Sequence, residues 1–107
     1  MDNVELALLF DFYGDLLPEK QRECCDLKYN EDLSLAEIAE HCGISRQGVW
    51  DNIRHAEKAL TETERKLGIV EDFLAIREEL SRLEKLTEGE AKDAVKRIRM
   101  RLEKEWH

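Results

Sequence analysis

The sequence predicts an all-α protein, and three observations predict it. Its 107 residues include only five Gly and one Pro, the profile of a mostly helical chain. Apolar residues recur at helical spacing nearly throughout. Helix starts and stops are marked at Pro18, Ser34, Ser45, Gly43 and Gly68. The length suits one compact domain with a helical extension. We place the boundary at Gly68, with a helix-turn-helix domain over residues 1–68 and two amphipathic helices over 69–107.

A first helix is expected over 4–15, with Leu6, Leu9, Phe10 and Tyr13 on one side. Leu16-Leu17-Pro18-Glu19 opens a second, because Pro fits a first turn, where its missing N–H costs nothing. This helix runs to about residue 29 and buries Cys24 or Cys25 together with Tyr29, and Leu27 or the stem of Lys28. Asn30-Glu31-Asp32 is a polar turn. Ser34 caps a short third helix over 35–41, with Glu37 placed for a capping box, and Gly43 ends it. Ser45 caps a long fourth helix whose Val49, Ile53, Ala56, Leu60 and Leu67 form the buried side. Beyond Gly68, Phe73, Ile76, Leu80 and Leu83 make one apolar stripe. After a turn at 87–90, Ala91, Val95, Ile98, Leu102 and Trp106 make another on a last helix over 90–106.

Composition narrows the function classes. With 42% hydrophobic and 39% charged residues, the chain is neither a disordered tail nor a membrane protein. The apolar run from Leu6 to Phe10 is cut by Asp11 and has no basic flank, so it reads as neither signal peptide nor span, and a cytoplasmic protein is expected. Cys24, Cys25 and Cys42 are an odd number, and the adjacent pair cannot close an ordinary disulfide, so reduced thiols are expected. Neither a zinc spacing nor a nucleophile arrangement is present, and no cofactor, metal or catalytic residue is expected. The net charge of −8 is uneven. Residues 1–44 carry three basic residues against eleven carboxylates, residues 45–68 five against four, and residues 69–107 nine against ten.

A helix-turn-helix needs a small set of packing positions, and the chain supplies them. Ile38 is the apolar anchor of the supporting helix, and Ala39 is the small residue that lets the second helix approach. Gly43 makes the turn between Cys42 and Ile44, and Val49 anchors the recognition helix. The last anchor falls on Asn52, so Ile53 takes that role on a slightly rotated helix. The exposed side then presents Ser45, Arg46, Gln47, Trp50, Asp51 and Arg54. Arg46, Gln47 and Arg54 suit base edges in a DNA major groove. Asp51 suits them poorly, and an exposed Trp50 is more typical of a protein-interface anchor. The carboxylates of the preceding helices, from Glu19 to Glu40, would also oppose phosphates.

The stretch from Leu17 to Leu60, with its Leu-Pro opening and Leu-Ala-Glu-Ile-Ala core, resembles the promoter-reading C-terminal module of bacterial sigma factors. More closely, "LLFDFYGDLLPEKQRE", "LSLAEIAEHCGISRQGVWDNI" and "ERKLG" resemble the YlxM family of Gram-positive bacteria, a likeness that runs through Gly68. This resemblance implies a non-enzymatic, regulatory role beside the signal recognition particle, through contact with its GTPase, its RNA or both. The competing expectation is a sequence-specific transcription regulator that reads DNA with Arg46, Gln47 and Arg54.

The last helix carries six basic residues from Lys92 to Lys104 against Asp93 and Glu103. Lys92, Lys96 and Arg99 form one stripe, and Arg97, Arg101 and Lys104 another. The plainer expectation is a packed helix with solvated flanks, and the sharper one an RNA contact through Lys92, Lys96 and Arg99. The stripe of Phe73, Ile76, Leu80 and Leu83 is expected to form a homodimer interface, with folding back onto the first helix as the alternative.

Overall fold

The computed structural model describes residues 2–104. Trp106, assigned above to the apolar side of the last helix, lies outside the described residues. Six α-helices and a single 3-10 turn account for the regular structure, with no strand among the described residues. The fold is thus all-α, as the spacing predicts. It divides into two compact units, Met1–Leu67 and Gly68–His107.

In the first unit α1 spans Asn3–Tyr13, and the carboxylate of Asp2 caps it by accepting from the Glu5 amide at 2.9 Å. Leu6, Leu9, Phe10 and Tyr13 are all buried. The helix stops before residue 15 because the chain tightens into a 3-10 turn at Gly14–Leu16, with Gly14 beneath the Phe10 ring. A Cβ on Gly14 would stand 2.9 Å from Phe10 Cε1. Pro18 is the N-cap of α2 (Glu19–Tyr29) rather than its first helical residue, and its carbonyl accepts from the Arg22 amide at 2.9 Å. Cys24 and Cys25 are both fully buried, where the spacing called for one or the other. This helix packs against its neighbours before and after it as well as the long helix over Arg46–Leu67, which covers two adjacent positions.

The helix-turn-helix follows. In α3 (Leu35–Cys42) the capping box is complete, with the Glu37 amide on Ser34 Oγ at 3.1 Å and the Ser34 amide on Glu37 Oε1 at 3.0 Å. Gly43 adopts φ 68°, a left-handed conformation that glycine takes at little cost, and its amide bonds back to the Ala39 carbonyl. Ser45 Oγ then accepts from the Gly48 amide at 3.0 Å to open α4 (Arg46–Leu67). Ile38, Ala39, Val49 and Ile53 close on Cys24 as one buried cluster, so the anchors expected of the motif meet in space. Asn52 is half-buried and donates to the Gly48 carbonyl at 2.9 Å, which leaves the packing role to Ile53.

α1, α2 and α3 all lean on α4, the central helix of this unit. Polar bonds pin two of these contacts. Tyr13 donates to Glu64 at 2.6 Å, and Tyr29 and Lys28 both donate to Glu57. Ala56 and Leu60 are buried, but Leu67 is 55% exposed. It is the last residue of α4 and stands past the height of the core, so the apolar side of this helix ends before Leu67.

In the second unit α5 (Ile69–Leu86) and α6 (Gly89–Lys104) pack as a hairpin across a two-residue link. Leu80 and Val95 are buried. The α5 stripe splits along its length. Phe73 and Leu80 are buried in the single chain, whereas Ile76 and Leu83 are 46% and 43% exposed. On α6, Leu102 is half-buried, but Ala91 and Ile98 are exposed. Among the described residues no helix is long and apolar enough to cross a membrane.

Candidate functional site

The exposed face of the recognition helix is built from the first three turns of α4. Val49 and Ile53 face the core, and this fixes the opposite side outward. Ser45, Arg46, Gln47, Trp50, Asp51 and Arg54 are all exposed, so the structure brings the six expected residues onto one accessible surface.

Their chemistry is more committed than the sequence indicates. Ser45 spends its hydroxyl on the helix cap. Gln47 Nε2 donates to Asp51 Oδ1 at 3.1 Å, so the amide that would read adenine is turned along its own helix. The Arg54 guanidinium lies over the Trp50 ring, 4.6 Å from its centre. Such a stack is worth about 0.5–1 kcal/mol at an exposed site, and it leaves Trp50 42% exposed. Arg46 projects from the first turn with no ion pair among the described residues. Leu35, at the start of the supporting helix, completes the surface. With Arg46, Gln47 and Trp50 it lines a shallow groove of about 250 Å³, and it is 39% exposed. Sequence reasoning passed over Leu35, although an apolar residue directly after the Ser34 cap was its signal.

The thiols behind this surface are structural. Cys42 donates to Glu23 Oε1 at 2.9 Å, and this bond, with Lys20 nearby, holds the Glu23 carboxyl below its usual range. Burial, reinforced by the Glu23 carboxylate, pushes the Cys42 thiol up to about 12. Burial raises Cys24 and takes Cys25 to about 12. Protonated thiols of this kind are poor nucleophiles and poor metal ligands.

The basic residues of α6 are not presented as one stripe. Lys96 is exposed and Lys92 half-buried, whereas Arg99 is drawn into the hairpin. Its guanidinium donates to Glu84 Oε1 at 2.8 Å, to Ser81 Oγ at 2.9 Å and to Glu103 Oε1 at 3.3 Å. The bond from Arg99 holds the Glu84 carboxyl below its ordinary range. The guanidinium thus clasps α5 to α6. Arg97 and Arg101 instead border an open apolar groove of about 490 Å³ with Ala94, Ile98 and Leu102.

Comparison with known proteins places this architecture. Residues 1–102 match the model of the UPF0122 family, described as YlxM/p13-like helix-turn-helix proteins. The chain belongs to the UPF0122 family. A UPF0122 protein of Acetivibrio thermocellus is 57% identical over 75 residues, covering 69% of this chain and 64% of that protein. One from Shouchella clausii is 45% identical over 102 residues, 94% of each chain. A third, from Symbiobacterium thermophilum, is 55% identical over 69 residues, 64% of each. Membership extends the likeness beyond Gly68, to residue 102 in the C-terminal hairpin.

Proposed function

We propose that this UPF0122 protein is a non-enzymatic accessory factor of the signal recognition particle pathway, which docks through its recognition helix on the particle's GTPase, its RNA or both. The observation that carries the docking mode is the Trp50–Arg54 stack at the middle of an exposed helix face. Aromatic and arginine side chains of this kind anchor macromolecular interfaces. The Gln47–Asp51 pairing and the acidic residues of the supporting helices, Glu37 and Glu40 among them, weigh against tight binding of a duplex. The choice of the targeting particle rests on the YlxM resemblance.

One observation favours a second reading. Arg46 stands exposed at the start of the recognition helix, where a DNA reader places a groove contact. Salt titrations of the full chain against duplex DNA, against the particle's RNA and against its GTPase discriminate between the two. The proposal expects saturable binding to a particle component that weakens on Trp50→Ala. Tight duplex binding lost on Arg46→Ala and Arg54→Ala, with no binding to RNA or GTPase, would put the DNA reading in its place.

A further inference from the structure

The bonds of Arg99 to Ser81 and Glu84 fix which flanks of the hairpin lie together. Projected at roughly 100° per residue, those three residues share one side of the α5–α6 seam. Ile76 and Leu83 of α5, and Ala94 and Ile98 of α6, fall on the opposite side. They form one apolar face across the two helices, on which Ile76, Leu83 and Ile98 are 46%, 43% and 52% exposed. The open groove beside Ile98 belongs to it. A face of this kind on a two-helix hairpin exceeds the scattered apolar residues of an ordinary monomer surface.

The rims of this face carry opposite charge. Along its α5 edge stand Asp72 and Glu79 with Arg82, and along its α6 edge Arg97 and Arg101 with Glu90, all exposed, so the net charge of the two edges is opposite. Glu79 is held only by a surface pair with Arg82 at 2.8 Å, in which both side chains remain largely solvated. Counted from the hairpin link, Glu79 and Arg97 stand at matching heights, and Asp72 and Arg101 nearly so. A two-fold axis running along the helices would lay α5 of one copy over α6 of another. It would set each acidic rim against a basic rim and bury both apolar faces together. The same patch serves both partners, as an isologous interface requires.

We propose that this face binds a second copy of the chain, hairpin on hairpin, as an antiparallel four-helix bundle. The interface is the composite of Ile76, Leu83 and Ile98 with its charged rims. It replaces the single stripe that includes Phe73 and Leu80, because those two are already buried in one chain.

Sedimentation equilibrium of the full chain tests this. The wild type is expected to dimerise, and Leu83→Glu with Ile98→Glu to be monomeric at unchanged helicity by circular dichroism. Reversing the acidic rim (Asp72→Arg with Glu79→Arg) or the basic rim (Arg97→Glu with Arg101→Glu) is expected to weaken self-association by about tenfold or more. An equimolar mixture of the two reversed chains is expected to restore the dimer. A wild type that remains monomeric at every concentration overturns the proposal, as does a dimer that survives Leu83→Glu with Ile98→Glu. Reversed chains that dimerise normally alone, or fail to pair when mixed, overturn the two-fold arrangement.

Discussion

Arg54 holds its guanidinium over the ring of Trp50, one turn back on the recognition helix, with 4.6 Å between the guanidinium carbon and the ring centre. The cation that would otherwise reach a guanine edge is thereby laid on an aromatic face. The surface is amphipathic, apolar through Trp50 and Leu35, and charged through Arg46 and Arg54. Loss of the stack by Arg54→Ala is expected to leave thermal stability within about 1 kcal/mol of wild type, the scale of one exposed cation–π contact. The same change should weaken partner binding. A large drop in melting temperature would instead make the pair a structural element.

Gly14 is set by packing, not by its backbone angles, which are ordinary right-handed helical values. Gly14→Ala forces the buried Phe10 ring to move and is expected to cost about 1–3 kcal/mol in urea denaturation. Phe10→Leu in the same chain should return part of that loss. Costs that simply add would show that the two residues do not share the space.

The Arg99 clasp predicts a pH effect. Because its hydrogen bond to Glu84 lowers that carboxyl, the stabilising contribution of this bond is present above the unfolded carboxylate value, about 4.3, and is lost as pH falls through the lower folded value. In Arg99→Met, the Glu84 midpoint followed by carboxyl NMR is expected to rise toward the ordinary range. A midpoint that does not move would assign the shift to another group.

Burial raises all three thiols, so the native chain is expected to resist iodoacetamide at about pH 8. All three should label once it is unfolded. The sign of the linkage is that of a raised folded value. Stability is complete below the unfolded thiol value, about 8.5, and declines above it as the unfolded chain ionises. Rapid labelling of Cys24 in the native state would contradict the packing described for it.

Much of this was legible in the chain itself. Ile38, Ala39, Gly43, Val49 and the Ser34–Glu37 and Ser45 caps are local signals whose spacing dictates their geometry, and the structure places them so. The Gln47–Asp51 and Trp50–Arg54 pairs were also within reach, because residues four apart on a helix are neighbours. What resisted reading depends on elements distant in sequence. Periodicity locates a stripe on α5 but not its covered edge, so it could not separate buried Leu80 from exposed Leu83. The engagement of Arg99 by Ser81 and Glu84 requires the register of the hairpin. Leu67 continues the helical spacing of α4 beyond the point where the core ends.

The most direct test of the proposed role uses Trp50 as its own probe. In a full chain carrying Trp106→Phe, Trp50 is the single tryptophan. Its emission can be followed as the particle's GTPase (with its own tryptophans replaced), the particle's RNA or a DNA duplex is added. On the proposed role, a saturable change is expected with the GTPase or the RNA and none with the duplex. A saturable change with the duplex alone, abolished by Arg46→Ala, would contradict it.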